Sequence, residues 1–396
     1  PKAADRIVRC HFTTRAWLRE PPVAKGSALR DTAGMIEHFS NDYASARRRW
    51  LDLAASRGLA VESHDHPLRG PAGEVLAIDV VRDGPAEASR VLLTTSAVHG
   101  VEGHAGCGIQ AALLQMGEQL RDRDDTNTAI VHVHAVNPHG FAHARRVTHE
   151  NVDLNRNFVD FSKPLPVNAD YAEFHPLLLP AVWPASPADN QAMQDRIAAL
   201  GLRRAQLGVT GGQHTHPDGM FFGGHAPTWS RLAFSQVLRQ QTRHCRQLAW
   251  LDLHTGLGPS GVGERIFAVN DAGAPLDRAR RWWGDQVTSV HTGTSNSVAL
   301  TGPIQNAVET ECPHVEYTGI CLEFGTLPLD QMLQALRADH WLYQHPEANE
   351  DLALRIHQGM RDAFYTDTGA WKRQVWAQAL EATQRALAGL RESGST

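Results

Sequence analysis

The stretch SAVHGVEGHAG (96–106) sets His99, Glu102 and His104 within six residues. A histidine and a carboxylate three positions apart can turn toward one point where a chain leaves a strand and enters a helix. A mononuclear hydrolytic zinc site wants three protein ligands and one open position. Gly100 and Gly103 would let the backbone come close to an ion. Among the 22 histidines, His99 alone has an acidic residue three positions on. A single HxxE marks a hydrogen-bonded turn more often than a metal site. His104 is a competing ligand, read instead as the start of the following helix. The third ligand candidate is His254 in DLHTGLG, whose alternative is a core-edge histidine bonded to a carbonyl. Asp252, two residues earlier, is either an acceptor behind that histidine or a cap on a buried edge.

The segment NPHGFAHARRVTHENVDLNRNF (137–158) gathers Arg145, Arg146, Asn155 and Arg156. Arginine grips carboxylates through a two-pronged contact and stabilises developing oxyanions. The competing reading is a loop knitted by Asn and Asp side chains. Glu323, inside the apolar run GICLEF, would be costly to bury unpaired. It pairs with a cation structurally, or it activates water beside a metal, and burial would raise its pKa toward the working range of a base. His132 and His134 share one strand face and read as sheet residues. His214 and His216, in QHTHPDGMFFGG, belong to a substrate-lining loop or a structural one.

These residues need elements to hold them. LAIDVV (76–81), VLLTTSAV (91–98), IVHVHAV (130–136), AWLDLH (249–254), RIFAVN (265–270) and GICLEF (319–324) read as strands. Helical periodicity covers 38–57, with Ser40 or Asn41 as N-cap, then 104–120, 189–207 and 228–247. It returns from 328 onward, broken at Pro346 and at Thr366–Gly369. Residues 137–187 and 208–224 read as loop. Alternating strands and helices predict an α/β sheet, and ligands of such sheets bind beyond the carboxyl ends of the strands. His99, Asn137, His254 and Glu323 all sit at such ends. They converge if their strands are neighbours.

The bulk numbers narrow the class. The 396 residues, 42% of them apolar, are enough for one large α/β domain with long loops. We expect a lead-in over 1–37, a catalytic domain over 38–345 and a helical extension over 346–396 packed on it. A net charge of −5 and no long Lys/Arg block argue against a nucleic-acid partner. The basic runs Arg47–Arg49 and Arg278–Arg281 read as solvated helix faces. Five scattered cysteines (Cys10, Cys107, Cys245, Cys312, Cys321) without CxxC suit a reducing compartment rather than a disulfide framework. No apolar stretch reaches spanning length, so no membrane partner is expected. A cytoplasmic location is the expectation, with a removed leader left open. The oligomeric state is not legible.

In this order, HxxE, Asn-Pro-x-Gly, an arginine before DLNRN, a later strand histidine and a late strand glutamate resemble the zinc carboxypeptidase superfamily. That superfamily includes the aspartoacylase and succinylglutamate desuccinylase deacylases. The likeness runs from about 40 to 345 and is strongest to a bacterial carboxypeptidase-like branch, through SAVHGVEGHAG, NVDLNRNF, HPDGMFFGG, DLHTGLGPSG and CLEFGT. The resemblance implies a mixed, twisted sheet of about eight strands with helices on both faces. It implies one zinc ion on His99, Glu102 and His254, and Glu323 as the catalytic base that later protonates the leaving nitrogen. Asn155 and Arg156 match the pair that grips a substrate carboxylate. An upstream arginine matches the oxyanion stabiliser; Arg146 is preferred, with Arg145 beside it as a substrate contact. The implied activity is amide hydrolysis on a small peptide. The alternatives are an N-acyl amino acid deacylase and a non-catalytic binding protein retaining the fold. One departure stands out: the superfamily's peptidases carry a tyrosine over the substrate, and no clear counterpart exists here, Tyr317 reading as structural.

Overall fold

The computed structural model describes residues 32–121, 125–269 and 273–392. Eight strands form one mixed sheet: β1 (Val61–Arg69), β2 (Val75–Asp83), β3 (Arg90–Thr95), β4 (Thr128–His134), β5 (Gln247–Gly256), β6 (Gly263–Phe267), β7 (Thr288–Ser289) and β8 (Glu316–Gly325). Their order is β1-β2-β4-β3-β5-β8-β6-β7. The centre, β4-β3-β5-β8, is parallel, and β1, β2 and β6 run antiparallel to their inner neighbours. Parallel strands need both faces covered, and β4 is buried along its whole length. The four strands whose ends carry the candidate residues are therefore consecutive neighbours.

Side chains alternate between two apolar layers. Leu92, Ala249, Leu251, Leu253, Ile320, Leu322 and Phe324 enter a cluster with Ile109, Trp283, Trp371 and Trp376. That layer is roofed by the helices Gly103–Met116, Ala274–Trp283 and Gly369–Glu392. Val91, Leu93, Leu248 and Trp250 face the other way, onto Phe234 and Val237 of the helix Trp229–Thr242. A third cluster, with Tyr171, Phe174, Met332, Leu336, Met360 and Phe364, stands at one rim of the pocket. By the same alternation Asp252, His254, Cys321 and Glu323 point away from the layer that takes Leu251, Leu253, Leu322 and Phe324.

Several elements differ from the expectations. β1 was not anticipated: VESHDHPLR is polar, half exposed and contains Pro67, which a sheet tolerates at an edge. The stretch 137–187 is mainly loop, as expected, but it is interrupted by helices that the sequence did not suggest. Short helices span Pro138–Ala142, Leu154–Asn157 and Ala169–Leu178, capped by Asn137, Asp153 and Asn168. The Asn and Asp residues that suggest a loop are N-caps. The helix over 189–207 is two, Pro187–Leu200 and Leu202–Thr210, parted at Gly201 with φ 79°. The first long helix starts at Tyr43, and Asp42 rather than Ser40 or Asn41 caps it through Ser45 N–H. Most of the expected lead-in, residues 1–31, lies outside the described residues.

Candidate active site

After β3 the chain turns through Ala97, with φ 53°, into a short 3-10 turn Gly100–Glu102 that runs into the helix Gly103–Met116. This geometry aims His99 and Glu102 at one point. The glycines do not serve an approach to an ion, as the sequence suggests. A Cβ on Gly100 would overlap the Gly140 and Phe141 backbone, and one on Gly103 would strike the Phe141 ring. The bare backbone lets the turn lie against the helix Pro138–Ala142. Gly100 N–H donates to the Arg146 carbonyl (3.0 Å) and Val101 N–H to that of Arg145 (2.9 Å). The turn carrying His99 and Glu102 and the arginine segment are thus stitched together.

Glu102 lies between two imidazoles. Its Oε1 is 2.7 Å from His99 Nδ1 and its Oε2 is 2.8 Å from His254 Nδ1, with Thr255 N–H donating to Oε2 at 3.1 Å. The far nitrogen of each ring meets an aspartate. His254 Nε2 donates to Asp252 Oδ2 at 2.8 Å, and His99 Nε2 lies 3.2 Å from Asp153 Oδ1. Asp252 is itself fixed by the Thr95 hydroxyl (2.6 Å) and the Gln305 amide (2.7 Å). Backing carboxylates of this kind orient ligand imidazoles and fix which nitrogen faces the ion.

The charges follow from this packing. Burial opposes charge on His254, but Asp252 and Glu102 on either side outweigh it and hold its pKa well above the usual histidine range. Burial likewise opposes ionisation of Glu102, and the His99 and His254 charges overcome it and hold the carboxyl low. A divalent cation bound there would displace the proton that His254 Nδ1 shares with Glu102. Among the described residues two groups of potential ligands converge, each with atoms within 4.8 Å of one another: His99, Glu102 and His254; and His254, Cys321 and Glu323. Two imidazole nitrogens and a carboxylate, with both rings backed by carboxylates, fit zinc.

Glu323 stands directly opposite His254 in the β5–β8 register. Its Oε1 accepts from Leu257 N–H at 2.9 Å. Burial first, and the neighbouring Glu102 carboxylate second, push its pKa up to about 8. Arg146 also reaches the cluster. Its Nε donates to Asp153 Oδ2 (3.0 Å) and its Nη1 to Glu102 Oε1 (3.3 Å), with Nη2 2.8 Å from His99 Nε2.

Asn155 and Arg156 lie on the one-turn helix Leu154–Asn157, whose N-cap is Asp153. The Asn155 side-chain Oδ1 accepts from Ile304 N–H at 2.9 Å. The Arg156 guanidinium donates to the Thr210 and Asn155 carbonyls and lies 5.6 Å from the Phe221 ring centre. Burial lowers its pKa to about 10, against the pull of Asp153. Asp153 therefore touches His99 and both pocket arginines, although the sequence did not single it out; the signal was its place at the head of DLNRN. Phe221, Gln305 and Cys321, also in the pocket, were missed as well.

His99, Glu102, Arg146, Asn155, Arg156, His254 and Glu323 line one pocket of about 1020 Å³ including its open mouth. Arg145 does not join them. Its guanidinium pairs with the buried Asp339 (3.1 Å), reaches Asn151 (3.3 Å) and lies 4.3 Å over the Tyr343 ring. The expected substrate contact is a structural ion pair, because consecutive residues of this turn face opposite ways. His104 bonds the Ser40 carbonyl and stacks on Tyr365, behind the turn. His132 bonds the Thr94 hydroxyl, and His214 bonds the Gly224 carbonyl. Tyr317 packs half-buried against Trp250, and among the described residues no tyrosine lines the pocket.

A family profile described as "Protein of unknown function (DUF2817)" matches residues 39–378. The chain belongs to this family. DUF2817 thus spans the whole sheet and every pocket residue named above. No curated protein matches the sequence. Solved structures similar to this DUF2817 chain include carboxypeptidase A from Helicoverpa armigera, at 13% identity, covering 90% of this chain and 80% of that one, with a TM-score of 0.41. A metallo-carboxypeptidase from Burkholderia cenocepacia is similar at 10% identity, 91% and 71% coverage and a TM-score of 0.40. Murein-tripeptide amidase MpaA from Escherichia coli O157 is similar at 15% identity, 76% and 92% coverage and a TM-score of 0.35.

Proposed function

We propose that this protein is a zinc-dependent hydrolase that cleaves an amide bond in a small peptide or N-acyl amino acid bearing a carboxylate. One observation carries the reading. His99 Nδ1, Glu102 and His254 Nδ1 meet at one point, each ring backed by an aspartate, with Glu323 in register beside them. A zinc ion held by His99, Glu102 and His254 would supply a Lewis acid and an acidified water. Glu323, the pocket carboxylate most reluctant to ionise, takes the proton of the attacking water at its carboxylate oxygen. It then returns that proton to the leaving nitrogen. Arg146 faces the carbonyl oxygen as it gains charge. Arg156, with Asn155, orients the substrate carboxylate. The buried floor excludes bulk water, which strengthens each of these contacts.

Glu323→Gln keeps the shape and removes the base. The expected result is metal content unchanged and turnover reduced by about 10²–10⁴-fold. Turnover near wild type with metal bound would remove Glu323 from the reaction. Assaying C-terminally unblocked peptides and N-acyl amino acids side by side, with a chelator control, assigns the substrate class.

A further inference from the structure

Of the second convergent group, His254, Cys321 and Glu323, only Cys321 has no part in the reaction above. Cys321 and Glu323 are two apart on β8, so their side chains share a face. Across the parallel pair they stand opposite Asp252 and His254. The three donor atoms lie within 4.8 Å of one another. Donors of a tetrahedral ion sit roughly 3.3–3.8 Å apart at metal–ligand lengths of about 2.0–2.3 Å, so small rotations close the set. Cys321 lines the pocket, open to ions that enter with solvent. A sulfur ligand favours soft cations. The Nε2 of His254 is held by Asp252, so its Nδ1 is the nitrogen that an ion in the His99–Glu102–His254 set uses.

We propose that Cys321 and Glu323 form a second, weaker cation position that competes with the first for His254, takes thiophilic divalent ions such as cadmium or excess zinc, and silences the enzyme by ligating Glu323. The inference rests on the proposed function only for its effect on activity. On binding, the Cys321 thiol gives its proton to solvent and its sulfur bonds the ion. No electron is transferred, and a chelator reverses the step.

The test is a cobalt(II) titration of the chelator-stripped protein, followed by absorption. The first equivalent should give d–d bands without a sulfur-to-cobalt charge-transfer band. That band should rise only with further cobalt. Cys321→Ser and Cys321→Ala should keep the first event, which also reports correct folding, and lose the second. Inhibition by excess cadmium should weaken in both variants by on the order of tenfold or more, at least the cost of losing an outer partner of a metal ligand. No charge-transfer band at saturating cobalt, a band on the first equivalent, or equal cadmium inhibition in both variants would overturn the proposal. His99→Ala separates this from the proposed function. It should lose the first event and retain the sulfur band in excess cobalt. If it keeps the first event, the three-ligand set fails while the Cys321 position stands.

Discussion

Asp252 decides which nitrogen of His254 faces the pocket. It takes the Nε2 proton at 2.8 Å and is itself clamped by Thr95 and Gln305, so the ring has one orientation. Asp252→Asn keeps the size and loses the charge. We expect metal affinity to fall about 10–100-fold, read by competition with a chromophoric chelator, while the fold persists. Arg145 has the opposite character. Its partner Asp339 is 1% exposed on its side chain, and Arg145→Met strands that carboxylate. The expected cost is about 3–5 kcal/mol of stability, seen as a lower denaturant midpoint, with metal content of the folded fraction unchanged. At this scale the sequence was informative because chemistry needs particular residue types. It could not separate Arg145 from Arg146. Neighbours in a turn have the same composition around them, and only the path of the chain sends one to Glu102 and the other to Asp339.

The glycine-spaced turn shows what an element contributes. Its backbone bonds to Arg145 and Arg146 tie the segment carrying His99 and Glu102 to the segment carrying Arg146. Gly100→Ala puts a methyl into the Gly140 backbone. We expect a loss of about 1–3 kcal/mol, the usual cost of overpacking, measured by urea unfolding. Metal affinity and turnover should fall together, because the turn moves away from both partners. A variant with full stability and activity would show that the two segments are not packed as described. The central strands were legible because buried parallel strands are continuous apolar runs. β1 was not, since a polar edge strand has no such signature. The short helices after Asn137 and Asp153 were not, because one-turn helices have too few residues to show a period.

The molecule as a whole is sensitive to acid at one corner. His66 on β1 and His139, His143 and His149 near the helix Pro138–Ala142 are in ring contact, with centres 4.2 to 5.7 Å apart. Burial, then the like charges of its neighbours, lowers His139 to about 3, and burial lowers His66 and His143 too. His66, His139 and His143 protonate more readily in the unfolded chain. Their contribution is therefore intact above pH 6.5 and is lost as pH falls from 6.5 toward 3. Urea midpoints measured across that window should drop, and His139→Asn should flatten the slope. An unchanged slope would place the acid sensitivity elsewhere. The α/β class was readable from the alternation of strands and helices, whereas this histidine corner joins residues more than 70 positions apart, a distance no local pattern spans.

Trp371 and Trp376, in the helix Gly369–Glu392, are buried in the cluster beneath β3, β5 and β8. This order has a consequence during synthesis. A chain emerging from the ribosome at about 5–20 residues per second would complete all eight strands well before that helix appears. For those seconds one face of the sheet is covered only by the helices Gly103–Met116 and Ala274–Trp283, and the apolar surface that Trp371 and Trp376 later cover is open to any apolar surface nearby. A nascent chain stopped short of residue 369 would carry a complete set of pocket residues on a sheet that cannot bury itself, so chaperone demand should be greatest late in translation.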